Sequence, residues 1–309
     1  MACRCAGSGH CRDHLSVGPP ESAMTAPSIS AVMVSWQTGP MLFESIHAVL
    51  ADPDISELIL VDHQNPGEVR EKLTELTANH PCLRVIRTDQ NLGFGKGCNI
   101  GAKEASGDYL FFINPDARPE AGAARQLIQA LPEGEASALA GARILGSDGR
   151  EQSGSRRRKL TLGRALATFS GAATLGWAKP FGMEDEPLPE GPIKVGAISG
   201  AAFLMSKAGF DALGGFDEGY FLHVEDVDLC RRATSVWFVP DAIVHHVGGS
   251  SRASHFAVEL EKAKSFLRYF WKFNTGPAGR IATIVAAPFI FTAIMLRALV
   301  REIIGLIRR

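Results

Sequence analysis

Three acids within four positions, Glu225, Asp226 and Asp228, sit among apolar neighbours in the stretch Phe221-Leu222-His223-Val224-Glu225-Asp226-Val227-Asp228-Leu229-Cys230. A solvated helix usually intersperses bases among its acids, because like charges at neighbouring positions repel. At helical spacing Glu225 and Asp228 share a face while Asp226 points elsewhere, so one carboxylate can face a cleft as the others cap or pair with Arg231 and Arg232. A second acid closes the apolar run Tyr109–Ile113 in Asn114-Pro115-Asp116. A carboxylate there suits a hard cation, since Mg2+ or Mn2+ takes oxygen ligands and commonly bridges one or two carboxylates to substrate phosphates. The competing reading of Asp116 is a cap for the next helix. Two imidazoles, His245 and His246, end a further apolar run before Gly248-Gly249-Ser250, and imidazole serves both as a Mn2+ ligand and as a proton carrier.

Two more segments carry candidate chemistry. Asp62 follows the apolar run 58–61, where a carboxylate can accept hydrogen bonds from a base edge or a ribose hydroxyl. The stretch Asn91-Leu92-Gly93-Phe94-Gly95-Lys96-Gly97-Cys98-Asn99 invites a phosphate-loop reading that fails two checks. A P-loop needs Ser or Thr after its Gly-Lys, and here Gly97 follows Lys96. A dinucleotide fingerprint needs a glycine where Cys98 stands and should follow the first strand. What remains is a tight backbone loop opening a helix, suited to close approach of a nucleotide.

The elements that must position these residues alternate. Apolar runs at Ile29–Ser35, 58–61, 83–87 and Tyr109–Ile113 read as strands, separated by helical patterns at Met41–Leu50, 68–78 and 98–105. That rhythm predicts an α/β fold, a mostly parallel central sheet with helices on both faces. Such sheets bind ligands at the carboxyl ends of their strands, where Asp62, the glycine loop and Asp116 all fall.

Length and charge narrow the class. The 309 residues suffice for one large α/β domain with an appendage. Lys and Arg total 32 against 33 Asp and Glu, and this near balance argues against a partner held by nucleic-acid phosphates. Six cysteines without paired spacing point to a reducing compartment. Residues 1–27 read as a disordered or spurious tail. The spacing of Cys3, Cys5, His10, Cys11 and His14 fits no common tetrahedral zinc site, and no apolar segment of secretory type follows the N-terminus. Residues 28–255 read as the catalytic domain and 256–309 as C-terminal helices for membrane attachment. The uncharged run 281–296 spans about 24 Å as a helix, short of a hydrocarbon core of about 30 Å. An interfacial helix with arginines at anionic headgroups is the favoured reading of that end.

Taken in order, these pieces resemble the family 2 glycosyltransferases of the GT-A fold, in the branch similar to bacterial rhamnosyltransferases. The resemblance runs over residues 29–268. It rests on Val34-Ser35, Leu60-Val61-Asp62, the Asn91 to Gly101 loop, Asn114-Pro115-Asp116, Gly215-Phe216-Asp217-Glu218, Glu225 to Leu229, and His245 to Ser250. It departs from relatives at His63, where they often carry Asn, and between Cys230 and Val239, where they have a glycine-containing stretch.

The resemblance implies roles. Asp62 contacts the nucleoside of a nucleotide-diphosphate sugar donor, and Asn91, Gly93, Asn99 and Asn114 belong to the donor site. Asp116 holds Mg2+ or Mn2+ on the diphosphate, with Asn114 replacing the first acid of the family's DxD motif. His245 is implied as second cation ligand, ahead of His246. Asp226 is implied as general base with Glu225 beside it, in a transfer that inverts the anomeric centre. The donor implied is dTDP-L-rhamnose, and the acceptor a lipid-linked or polysaccharide glycan at the cytoplasmic face of the inner membrane, which the enzyme meets as a peripheral or monotopic protein. Residues 149–194 belong to the acceptor side, where Arg156-Arg157-Arg158-Lys159 could meet a lipid diphosphate. A nucleotidyltransferase would instead carry a glycine-rich basic loop where this chain has Trp36-Gln37-Thr38-Gly39-Pro40, and a non-catalytic binding subunit would not need both Asp116 and Asp226.

Overall fold

A strand buried on both faces reads as a nearly continuous apolar run, and Ile-Ser-Ala-Val-Met-Val-Ser at residues 29–35 is buried at every position. The computed structural model describes residues 27–173, 175–176, 178–248 and 254–307. The expectations for residues 1–26 and for Gly249-Ser250 lie outside them. Chain order is β1 (Ile29–Ser35), α1 (Met41–Leu50), β2 (Ile55–His63), α2 (Gly67–Asn79), β3 (Leu83–Thr88), α3 (Phe94–Glu104), β4 (Tyr109–Ile113), β5 (Ala117–Pro119), α4 (Ala123–Gln129) and β6 (Leu139–Leu145). It continues through β7 (Arg156–Arg157), α5 (Leu162–Ser170), β8 (Ile193–Lys194), β9 (Ala197–Ile198), β10 (Ala202–Ser206), α6 (Lys207–Ala212), α7 (Glu225–Arg232), β11 (Val236–His246), α8 (His255–Phe273) and α9 (Pro277–Ile307).

The main sheet has the order β3-β2-β1-β4-β10-β6-β11-β5, with β8 added on β11. β1 to β4 are mutually parallel, as the βαβ rhythm requires. β10 then enters antiparallel between β4 and β6, so the sheet is mixed beyond β4. Chain order reverses between β1 and β4, and a crevice opens beyond their carboxyl ends. Side chains alternate between two apolar layers. Val32, Val34, Phe112 and Phe203 face a layer that includes residues of α3, α7, α8 and α9. Met33, Leu60, Phe111 and Leu204 face α1, α2 and α4. In the first layer Phe216 stacks edge-on against Phe94, Phe112 and Phe210. It lies so close to Gly95 that a Cβ there would sit 3.1 Å from its own.

The C-terminal helices are continuous with this body. Ala263, Phe266 and Phe270 of α8 and Ala286, Ile290 and Ile294 of α9 join the first layer. Lys272 Nζ donates to Asp217 and to Asp228, each at 2.7 Å, and Arg268 donates to Asp217 at 2.7 Å, which ties α8 to the start and middle of the acidic segment. Burial would raise the Asp217 carboxyl, but the Lys272, Gly219 and Arg268 donors outweigh it and hold it at about 2. α9 runs unbroken through Pro288 and both flanking arginines, and its segment Pro277–Val300 is long and apolar enough to cross a bilayer. One stripe (Thr283, Ala286, Ile290, Ile294, Ala298) is buried, while Ile281, Ile284, Val285, Leu296 and Leu299 are exposed. Two arginines of α9 have partners within the protein. Arg280 stacks 3.9 Å from the Trp271 ring centroid, and Arg297 donates to the Thr168 carbonyl at 2.8 Å. Between α8 and α9 an apolar groove is lined by Phe256, Leu260, Phe291, Met295, Leu296 and Leu299 with Thr292. Cys82, Cys98 and Cys230 are free thiols.

Candidate active site

Beyond the ends of β1 and β4 lies a cleft of about 620 Å3. Val34, Trp36 and Thr38 line it from β1, Asn114, Pro115 and Asp116 from β4, and His246 from β11. His63, Asn91, Gly93 and Phe94 form the side toward β2 and α3, and Phe221, Leu222 and His223 face Ala257, Val258 and Glu261 of α8 across the mouth.

Asp116, only 5% exposed, meets His246 Nε2 through Oδ1 at 3.1 Å. Asn114 Nδ2 approaches the same nitrogen at 3.3 Å, and the opposite ring nitrogen, Nδ1, lies 2.8 Å from Gln152 Oε1. The expectation for His245 is corrected by this arrangement: its Nε2 pairs with Glu120 at 2.9 Å on the exposed side of β11. Successive strand residues point to opposite faces, and Ala242 and Val244 are buried while Asp241 is exposed. His246 therefore continues the inward register and His245 the outward one. The exposed Asp241 was the available signal. Among the described residues no three His, Cys, Asp or Glu side chains converge on a metal position. A carboxylate and one imidazole still fit a hard cation that takes its remaining ligands from phosphate and water.

The glycine loop is shaped for close approach. Gly93 has φ of +85°, and a Cβ there would lie 2.4 Å from the Phe221 carbonyl oxygen. That carbonyl accepts from Phe94 N at 3.0 Å, and Asn91 Oδ1 accepts from Gly93 N at 2.9 Å. Asn99, by contrast, is not brought to the cleft. Its amide donates to Phe216 O and accepts from Phe216 N, fastening α3 to the Gly215-Phe216 turn. Asp62, expected at the nucleoside, is fully buried and is not among the residues that line the cleft. Asp62 Oδ1 accepts from Asn65 N and Nδ2, both at 2.9 Å, and Asn65 in turn donates to Ser35 Oγ, which contacts Thr38. The carboxylate thus braces the turn that presents Thr38. The next residue, His63, lines the cleft, and burial lowers its imidazole below the ordinary value.

The acidic segment is held in unusual backbone. His223 and Val224 have φ of +67° and +70°, a left-handed pair that is costly for a β-branched residue. It turns the chain so that His223 lines the cleft while α7 starts at Glu225. The three acids then separate. Asp228, with no exposed surface, accepts from Tyr220 OH at 3.1 Å, Arg232 at 2.6 Å and Lys272 at 2.7 Å. Arg231 instead lies over the Phe273 ring. Glu225 is buried toward Gly95, and burial followed by the Asp226 charge pushes its carboxyl up to about 8. Asp226 Oδ2 accepts from Arg157 Nη1 and from Gly200 N, each at 3.0 Å. Because Asn114 N donates to the neighbouring Ala201 O at 2.8 Å, the Asp116 and Asp226 segments are anchored to adjoining residues of one turn.

The run of four bases is not a common anion patch. Arg156 is buried on Glu151 and the carbonyls of Glu186 and Pro187, and Arg158 holds Pro180 O, Gly182 O and Glu186. Of the three arginines, Arg157 turns to Asp226. Arg157, His63, His223 and Gln152 are the site residues that spacing alone did not single out in these places, and the resemblance ranks His246 behind His245.

The sequence pattern of the family described as Glycosyl transferase family 2 matches residues 30–214, more than half of the chain. The chain belongs to glycosyl transferase family 2. It is 26% identical over 261 residues to the N-acetylglucosaminyl-diphospho-decaprenol L-rhamnosyltransferase of Mycobacterium tuberculosis, covering 77% of this chain and 83% of that protein. Among solved structures it resembles the mannosyltransferase PcManGT of Pyrobaculum calidifontis in complex with GDP-Man and Mn2+, at a TM-score of 0.56 and 12% identity, covering 90% of this chain and 75% of that one. GalNAc-T7 with UDP, GalNAc and Mn2+ superposes at a TM-score of 0.55 and 17% identity, covering 83% of this chain and 54% of that one. The fold of this family 2 chain is GT-A.

Proposed function

We propose that this glycosyltransferase moves a sugar, L-rhamnose from a dTDP donor in the first instance, onto a hydroxyl of a lipid-linked or polysaccharide acceptor in cell-envelope glycan assembly. The observation that supports the reading is that Asp116 and His246 meet in the cleft lining while Asp226, outside that lining, is held at Gly200, beside the Ala201 carbonyl that fixes Asn114. The choice of L-rhamnose and of a lipid-linked acceptor follows the name of the mycobacterial relative.

In this reading the nucleoside lies between Trp36, Thr38 and His63 and the backbone of the Asn91 to Phe94 loop. The diphosphate points toward Asp116 and His246, which would hold Mg2+ or Mn2+. When bound, that cation supplies positive charge where the leaving diphosphate gains negative charge. Asp226 takes the proton from the acceptor hydroxyl as its oxygen attacks the anomeric carbon and the bond to the diphosphate breaks. Burial and the Asp226 charge raise the Glu225 carboxyl to about 8, which supports a single displacement with inversion over attack by that carboxylate. Arg157 must release Asp226 before that proton can move.

The exposed apolar face of α9, together with Phe256 and Trp271 of α8, supports attachment to a membrane, proposed as the cytoplasmic face of the inner membrane. The α8–α9 pair packs on the body through its buried stripe, which favours a helix lying in the interface over a lone span.

The test is Asp226→Asn, scored for binding and transfer separately, with the product's anomeric configuration read by NMR. Retained donor affinity with transfer down at least a hundredfold is the expected outcome. Transfer at the wild-type rate would remove the base assignment, and a product of retained configuration would remove the single displacement.

A further inference from the structure

We infer that Gln152 is a positioning residue for the cation end of the cleft, fixing His246 in the tautomer and orientation that aim a nitrogen lone pair at Asp116. The inference rests on the proposed cation site and adds to it a residue outside the family motifs quoted above. Gln152 binds one residue twice. Its Nε2 donates to the His246 carbonyl at 2.6 Å, and its Oε1 lies 2.8 Å from His246 Nδ1. A backbone carbonyl only accepts, which assigns the nitrogen end of the amide, and the oxygen end then faces the ring. An amide oxygen only accepts as well, so Nδ1 carries the hydrogen and Nε2 of the neutral ring presents its lone pair.

That lone pair is directed at Asn114 Nδ2, a donor 3.3 Å away, and at Asp116 Oδ1, an acceptor 3.1 Å away. An imidazole lone pair and a carboxylate oxygen at such a separation repel unless a proton or a cation lies between them. A Mn2+-class ion accepts both donor types. A ligating imidazole ordinarily gives its other N–H to an oxygen acceptor that sets its orientation and raises its basicity, and Gln152 Oε1 occupies that place.

Gln152 is stiffly mounted for the task. Its N–H donates to Ile144 O of β6 at 2.8 Å, its carbonyl accepts from Ser155 N at 3.0 Å, and Ser155 Oγ accepts from Ile144 N at 3.0 Å. The side chain therefore reaches from a segment anchored on β6 to the last residue of its parallel neighbour β11. A plainer role exists, in which the amide only pins the end of β11 through the bond to the His246 carbonyl. Two variants separate the roles, because Gln152→Glu keeps an acceptor for Nδ1 and loses the donor to the carbonyl, whereas Gln152→Leu loses both.

The experiment measures Mn2+ affinity by electron paramagnetic resonance in the presence of dTDP, together with the His246 tautomer by 15N NMR on the metal-free full chain. Gln152→Leu is expected to weaken Mn2+ binding by about 10- to 100-fold, and to shift the ring hydrogen off Nδ1. Gln152→Glu is expected to stay within about threefold of wild type and keep the hydrogen on Nδ1, since a carboxylate serves as an outer partner of ligating histidines. Equal losses in the two variants would assign the strand-pinning role and overturn the inference, as would a wild-type ring carrying its hydrogen on Nε2. Asp116→Asn distinguishes the levels. If it leaves Mn2+ affinity unchanged, the cation-site reading falls and the inference with it. If it weakens Mn2+ while Gln152→Leu does not, the inference alone falls.

Discussion

Relative to Glu225→Gln, the wild-type fold should lose stability as the pH rises from 5 to 9, a comparison in which the opposite contributions of the buried His223 and His63 cancel. Glu225 is 5% exposed, its Oε2 lacks a hydrogen-bond partner, and burial with the Asp226 charge beside it pushes its carboxyl to about 8 from an ordinary 4.5. Between those values the folded chain holds a proton that the unfolded chain has released. Stability is thus fully present below about pH 4.5 and declines until about pH 8. At about 1.4 kcal/mol per pH unit the ceiling is roughly 5 kcal/mol. Glu225 shares its electrostatics with Asp226, and local relaxation takes a further part, so about 2–3 kcal/mol should reach folding. Glutamine matches the protonated acid in shape and cannot ionise. Urea unfolding of both proteins across the range should show the variant equal to wild type near pH 5 and about 2–3 kcal/mol more stable near pH 9, with unchanged slope in denaturant. Parallel stability curves from pH 5 to 9 would refute a buried neutral Glu225. Transfer at pH 7 should survive in the variant, because the proposed base is the neighbouring Asp226.

Gly93→Ala should destabilise the protein by about 2 kcal/mol or more, since alanine tolerates neither the left-handed backbone nor the Phe221 carbonyl; an unchanged melting temperature would show that the loop relaxes freely. Arg157→Gln should raise acceptor-independent hydrolysis of the donor several-fold by freeing Asp226 to accept a proton from water, and hydrolysis at the wild-type rate would exclude Arg157 as a restraint. Ile284→Glu with Val285→Glu removes two exposed apolar side chains worth about 1.5–3 kcal/mol each when buried, so sedimentation with anionic vesicles should fall at least tenfold. An unchanged vesicle-bound fraction would remove α9 from the contact.

The strands and helices up to β4 were legible because β1, β4 and the core of β2 are nearly continuous apolar runs, the edge strand β3 keeps Leu83, Val85 and Ile86 among its arginines, and the intervening helices carry their own period. The direction of β10 was not, because Ala202-Phe203-Leu204-Met205 reads as an apolar strand but carries no mark of direction, which is set by the partners on either side. The motif acids were visible as types but not as positions. Asp62 and Asn99 are polar residues beside the ligand end of the sheet, yet a turn bond to Asn65, three residues on, and a long-range bond to Phe216 turn them into braces. His245 and His246 differ only by strand register, which Asp241 encodes and a residue count from the glycines does not. The basic run 156–159 looked like an anion patch because charge is readable in a sequence while the acids and carbonyls that neutralise it, at Glu151 and in residues 180–187, are brought in by folding.

α8 serves the cleft with one side and the apolar shoulder with the other, as Ala257 and Glu261 line the cleft while Phe256 and Leu260 turn toward Phe291 and Met295 of α9. An α-helix with its side chains is about 10 Å across, so the cleft mouth stands roughly that far from the surface proposed to rest on lipid. A catalyst seated this way meets sugars carried close above the headgroups and passes beneath those at the tip of a long glycan. On the proposed membrane seat, α8 with α9 would act as a gauge for how early in chain growth an acceptor is served.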